Sequence, residues 1–166
     1  VKLLLDEQPD LANQIRVRFF GTDMYGNLQR LVSALGLHAC VTPIRYVQHH
    51  QAVHELMASH VLLLTIFKKT DEEIITGKVF EYLASGKPIL MIADRGYVAD
   101  QIQRLDRGTV MSHADIKGIK NIIYQYFQQY RKRKLRFATP IALPEYDRFQ
   151  HAGQLANILN QVLNQH

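Results

Sequence analysis

Hydrophobic and polar positions follow two different periods along this chain. Five short runs rich in β-branched or contiguous apolar residues are typical of strands, and the segments between them repeat apolar residues every three or four positions, as amphipathic helices do. The predicted strands cover 15–20, 41–47, 61–67, 88–93 and 109–111. The predicted helices cover 27–35, 50–59, 76–85, 115–133 and 151–164.

The alternation of strands with helices indicates an α/β fold. It predicts an open parallel sheet with helices on both faces, built from right-handed crossovers. The run 61–67 is apolar at nearly every position, which is typical of a central strand buried on both sides. Ligands of such sheets bind beyond the carboxyl ends of the strands. The loops after Phe20, Val47, Phe67 and Ala93 are therefore the places where a binding site is expected.

Length and composition are those of one globular domain. The chain has 166 residues, of which 47% are apolar. No apolar run approaches the ~18 residues of a membrane-spanning helix, and no signal peptide is recognisable at the start. The single cysteine, Cys40, excludes a disulfide framework or a cysteine-rich metal site, and a buried thiol is expected there. A cytoplasmic location fits these features.

The net charge of +5 comes from one short segment. Five of the six residues in 131–136 are basic, and the remaining 15 basic residues equal the 15 acidic ones. Two interpretations stay open: cations that complement a helix dipole, or a peripheral contact with the inner face of a membrane. Nucleic-acid binding is not expected, because such proteins spread their cations over a face.

A helix that begins at Thr76 carries the chemistry that the sequence singles out. Thr76 is a suitable N-cap, Gly77 admits a ligand close to the backbone, and Lys78 adds a positive charge at the same end. The amino end of a helix favours phosphate. Two carboxylates, Glu73 and Glu81, flank this end, and carboxylates beside a phosphate need hydroxyl groups to bind. A ribose and a sugar would provide them.

These residues resemble a known family. Glu73, seven residues, and Glu81 followed by Tyr-Leu-Ala-Ser-Gly-Lys-Pro-Ile-Leu are similar to the donor-binding signature of retaining glycosyltransferases of the GT-B fold, above all the family 4 group. The resemblance implies one Rossmann-like half of such an enzyme. The enzyme would transfer a sugar from a nucleoside diphosphate to an acceptor hydroxyl with retention, in bacterial polysaccharide or glycolipid biosynthesis.

The resemblance also implies a role for each site residue. Glu73 would bind the donor sugar and lie near the charge that develops at its anomeric carbon, as the catalytic position. Glu81 would accept hydrogen bonds from the ribose hydroxyls. The other donor-binding positions would be Thr76, Gly77 and Lys78 for the diphosphate, and Tyr46 and Val47 for the nucleobase. No metal and no further cofactor are expected, since the helix end and basic side chains neutralise the diphosphate.

The domain and partners expected from the resemblance go beyond this chain. Residues 1–166 would form the carboxyl-terminal nucleotide-sugar-binding domain, with a central first strand and the acceptor domain absent. The acceptor, a glycan or a lipid-linked sugar, would bind through that missing domain. The apolar stripe of 151–164 would favour self-association of the isolated chain. Two alternatives stay open, namely a nucleotide-sugar epimerase-like domain and a non-catalytic nucleotide-sugar-binding module.

Overall fold

The computed structural model describes residues 1–21, 26–66, 77–94, 96–140 and 147–163. Within these ranges, five strands alternate with helices. The strands are β1 (Val17–Phe20), β2 (Val41–Ile44), β3 (Leu62–Thr65), β4 (Ile89–Ile92) and β5 (Gly108–Met111). The helices are α1 (Lys2–Glu7), α2 (Asn27–Ala34), α3 (His49–Ala58), α4 (Gly77–Ser85), α5 (Tyr97–Arg104), α6 (Ile116–Arg131) and α7 (Arg148–Leu163), with a 3₁₀ helix at Pro9–Asn13.

All strand pairing among the described residues is parallel, which confirms the predicted α/β class with a Rossmann-like open arrangement. The strands form two small sheets, one in the order β1–β2 and the other in the order β3–β4–β5. Val17 pairs with Val41 in the first sheet, and Leu62 pairs with Ile89 in the second. Pro43 lies on β2 opposite Phe19. A proline is tolerated there because β2 is an edge strand, with its missing N–H on the unpaired side.

The first sheet packs one face against α1 and α2. Val32 of α2 packs there with Leu37, Cys40 and Val41, and Val1, Leu5, Val17, Phe19 and Leu28 surround this group. Cys40 is almost fully buried, as predicted, and its burial raises the pKa of the thiol. On the opposite face, Arg18 Nη1 lies 2.6 Å from Glu55 Oε2 of α3.

The second sheet is covered on both faces. Leu64, Ile89 and Met91 pack against α4 and α5, which contribute the buried residues Val79, Leu83, Val98, Ala99 and Ile102. On the other face α6 crosses the sheet, with the hydroxyls of Thr109 and Tyr126 hydrogen-bonded at 3.1 Å. Near the end of α6 the ring of Tyr130 lies 4.3 Å from that of His60, which precedes β3.

The helix layers continue from one sheet to the other, although no described strand pairs across. On one face α1 contacts α6, where Lys120 Nζ donates to Glu7 Oε1 at 2.7 Å; on the other face α3 contacts α4. Among the described residues, β1 pairs only with β2 and β3 only with β4, so each of these two strands has one edge without a strand partner.

The structure also differs in detail from the predicted elements. β2 ends at Ile44 rather than extending to Val47, and α3 begins one residue earlier than predicted. Between the fourth and fifth predicted strands no helix is expected, yet α5 forms there and buries Val98, Ala99 and Ile102. This short helix is stabilised by packing on the second sheet, against which Val98 and Ile102, four residues apart, are buried.

Candidate functional site

The helix α4 begins on the carboxyl side of β3, where a ligand site is expected. Val79 and Leu83, four residues apart, are buried against the second sheet and fix the orientation of the helix. Lys78 and Glu81 lie on the exposed side. Among the described residues, no atom lies within 4 Å of the position that a Cβ atom at Gly77 would take.

The side chains of Lys78 and Glu81 are exposed. Within the described ranges neither forms an ion pair or a side-chain hydrogen bond. Burial, followed by the negative charge of the adjacent Glu81, raises the pKa of Tyr82. The exposed face of α4 therefore presents a cation in its first turn and a carboxylate one turn further along.

Two of the predicted site residues, Glu73 and Thr76, lie outside the described residues. The predicted catalytic role of Glu73 and the predicted N-cap role of Thr76 therefore stay predictions. Of the predicted phosphate-binding residues, the structure describes Gly77 and Lys78.

Tyr46 and Val47 follow β2 and lead into α3. Tyr46 is 74% exposed, so its ring is accessible to a stacking partner. Val47 is half-buried. No hydrogen bond or ring contact joins either residue to α4 within the described part of the chain, although α3 and α4 contact each other. The structure therefore brings Gly77, Lys78 and Glu81 together on one helix and leaves this pair on the neighbouring sheet.

A polar cluster at the carboxyl ends of β4 and β5 was not predicted. Ser112 Oγ donates to Asp94 Oδ1 at 2.7 Å, and His113 Nδ1 lies 3.9 Å from the same oxygen. The hydrogen bond from Ser112 and the nearby His113 lower the pKa of Asp94. The signal in the sequence was the position of these residues directly after two strands. Within the described ranges, no group of three His, Cys, Asp or Glu side chains could hold a metal ion.

The basic segment 131–136 begins at the end of α6 and folds back. Arg131 donates to Gln14 Oε1 at 3.1 Å, and its guanidinium lies 5.9 Å from the centre of the Phe127 ring. Lys134 and Arg136 are exposed and line a cavity. None of the described helices is both long and apolar enough to cross a bilayer. Contact of this segment with a membrane surface stays a prediction.

Comparison with known proteins adds no relative. No protein-family model, no curated protein and no solved structure matches this chain. The resemblance to family 4 glycosyltransferases therefore rests on the sequence signature around Glu73 and Glu81.

Proposed function

We propose that this chain binds a nucleoside diphosphate sugar and forms the donor half of a retaining glycosyltransferase. The single observation that carries the proposal is the amino end of α4. It follows a parallel strand on the carboxyl side and exposes Gly77, Lys78 and Glu81 together, while Val79 and Leu83 are buried. Ligands of open α/β sheets bind at this side.

The first turn of α4 suits the diphosphate. Its backbone N–H groups lack partners inside the helix and carry partial positive charge, which favours an anion. Gly77 has no side chain, so phosphate oxygens can approach the backbone closely there. Lys78 adds a mobile cation, which stabilises the nucleoside diphosphate as it leaves with its negative charge.

Glu81 suits the ribose. Its carboxylate lies one turn from the phosphate-binding end and is exposed, so it can accept hydrogen bonds from both ribose hydroxyls. The exposed ring of Tyr46 offers a surface on which the nucleobase stacks, with Val47 beside it. Glu73 contacts the donor sugar, and Thr76 contributes to the diphosphate site.

In the complete enzyme the bond between the sugar and the diphosphate breaks, and the acceptor oxygen bonds to the same anomeric carbon while its proton passes to the departing diphosphate. The nucleoside diphosphate leaves with the bonding electrons. The acceptor is a glycan or a lipid-linked sugar of bacterial polysaccharide or glycolipid biosynthesis. It binds on a second domain across the cleft, because transfer requires both reactants to be held in register.

Isothermal titration calorimetry with UDP, GDP and ADP tests the proposal. Glu81→Ala is expected to weaken the tightest of the three about 10- to 100-fold, since hydrogen bonds to a charged acceptor contribute roughly 1.5–3 kcal/mol. Asp100→Ala is the matched control, because Asp100 is an exposed carboxylate in the first turn of the neighbouring α5. Equal affinity in Glu81→Ala and the parent chain, or no binding of any nucleotide, would contradict the proposal.

A further inference from the structure

A cavity opens at the amino ends of β4 and β5, on the side opposite to α4's first turn. Its volume is about 430 Å³. One wall is formed by the residues just before the two strands, including Lys87 and Arg107, and the other by the returning segment 134–138. This size accommodates a small organic ligand.

The cavity exists because the chain reverses direction after α6. Arg133 adopts a left-handed conformation, with φ of 53°, and Lys134 N donates to Gln129 O at 2.7 Å, as in a Schellman motif. The following residues then cross the ends of the strands. Ala138 N donates to Gly86 O at 2.8 Å, which anchors the segment.

The side chain of Arg107 is the unusual feature of this cavity. It is only 7% exposed, and both of its terminal nitrogens donate to one carbonyl oxygen, that of Thr139, at 3.1 Å. Among the described residues its buried Nε has no hydrogen-bond partner, and no carboxylate forms an ion pair with the guanidinium. Buried cations are normally paired, so within this part of the chain the guanidinium lacks an anion that would compensate for its desolvation.

The chain contains an internal comparison for this position. Arg107 follows α5 in a Schellman motif, with its N–H donating to Ile102 O at 2.9 Å. Leu37 occupies the same position after α2, with its N–H donating to Val32 O at 2.9 Å, and it is equally buried, at 7% exposure. An apolar residue is what this motif ordinarily uses. A buried arginine is therefore not required by the turn.

The other charged side chains on the cavity wall are mainly cationic. Lys87, Lys134 and Arg136 join Arg107, and Asp106 is the one carboxylate among the described residues that line the cavity. The Lys87 Nζ lies 4.7 Å from the centre of the Phe137 ring, which holds it beside the opening. Such a concentration of cations in a concave site attracts an anion.

We propose that this cavity binds a phosphate group, with the Nε of Arg107 as a donor and Lys134 and Arg136 closing around it. A guanidinium fork matches the oxygens of a phosphate better than an ammonium does. The site is separate from the donor nucleotide site and does not depend on the proposed function. The phosphate belongs either to a free phosphorylated metabolite or to a phospholipid headgroup.

Calorimetry with inorganic phosphate and with glycerol 3-phosphate tests the site at ~0.1 M ionic strength. Sedimentation with phosphatidylglycerol vesicles, compared with phosphatidylcholine vesicles, tests the headgroup. Lys134→Ala combined with Arg136→Ala should weaken binding about tenfold or more. Lys117→Ala combined with Lys132→Ala removes the same charge from exposed positions outside the cavity and should change affinity less than about twofold.

Arg107→Leu, which copies Leu37, should fold and lose the binding. If this variant fails to fold, the comparison of the cavity double variant (Lys134→Ala with Arg136→Ala) with the control double variant (Lys117→Ala with Lys132→Ala) still tests the site. Binding of the free anions identifies a metabolite, and binding of anionic vesicles alone identifies a headgroup; either result supports the site when the cavity variant weakens it. Absence of binding to every probe, or an equal loss in both double variants, would overturn the proposal.

Discussion

Gly86 offers a test of how the returning segment packs. It follows α4 with a φ of +72°, and an added Cβ would lie far inside van der Waals distance of the Ala138 carbonyl oxygen and 3.1 Å from its carbonyl carbon. Gly36 follows α2 with a φ of +65°, and a Cβ there would meet nothing within 4 Å. Gly36→Ala therefore isolates the backbone strain, and Gly86→Ala adds the collision to the same strain.

The two substitutions should differ measurably in the free energy of unfolding. Left-handed backbone costs about 1–2 kcal/mol for alanine, and this term is shared by both variants. In Gly86→Ala the backbone of residues 137–140 must also move away from the added Cβ atom. This movement weakens the hydrogen bond from Ala138 N to Gly86 O, which contributes about 0.5–1.5 kcal/mol. It also disturbs the charged hydrogen bond from Arg107 to Thr139 O, which contributes about 1.5–3 kcal/mol if lost completely. We expect Gly86→Ala to be less stable than Gly36→Ala by about 1–3 kcal/mol.

Urea denaturation followed by circular dichroism measures both losses under the same conditions. Gly86→Ala should also weaken phosphate binding in the cavity, since Ala138 forms part of its wall. Equal stability losses in the two variants would refute the packing of residues 137–140 against Gly86.

Three further predictions concern the core, the polar cluster and the last helix. Ile102→Ala should lower the free energy of unfolding by about 2–5 kcal/mol, because Ile102 is fully buried between α5 and the second sheet. Gln103→Ala, on the exposed side of α5, should change it by less than about 0.5 kcal/mol. Urea denaturation measures both values. Asp94→Asn should reduce the loss of stability at low pH. The lowered pKa of Asp94 stabilises the fold at pH values above its unfolded-state pKa. This contribution disappears as the pH falls through the folded-state pKa, and the asparagine variant lacks it. Melting temperatures at pH 6 and pH 3 check this, and an identical acid-induced decrease in both proteins would contradict it. The chain should self-associate through α7, where four apolar side chains are each more than half exposed: Leu155, Leu159, Val162 and Leu163. The double variant Leu159→Glu with Leu163→Glu should therefore have a lower mass in sedimentation equilibrium. An unchanged mass in this variant would contradict self-association through α7.

The five predicted strands all coincide with observed ones, because their residues are mostly β-branched, aromatic or aliphatic. Four of the predicted ranges contain the whole observed strand, and β5 begins at Gly108, one residue before the predicted range 109–111. α5 was missed although its local pattern is helical: Val98, Ala99 and Ile102 recur at the spacing of a buried helix face, and α2, which was predicted, is also eight residues long. Its formation depends on burial against a sheet that is assembled from distant strands.

The grouping of candidate side chains could be predicted where it is local and not where it depends on tertiary folding. Gly77, Lys78 and Glu81 share one helix, so their spacing alone places them together. Asp94 and Ser112 meet because β4 and β5 are adjacent in the sheet. Arg107 becomes buried because residues more than twenty positions later fold back over it, and no local pattern indicates such a return.

A titration of the ¹⁵N-labelled chain with its tightest nucleoside diphosphate, followed by amide chemical shifts, tests the donor site most directly. We expect the amide signals of Gly77, Lys78 and Glu81 to shift with one common saturation curve. In Glu81→Ala this curve should move to higher nucleotide concentration. Shifts confined to Gly86, Gly108 and Ala138 would instead assign the phosphates to the basic cavity. That result, or saturation without any change in the first turn of α4, would contradict a donor site at the carboxyl ends of the strands.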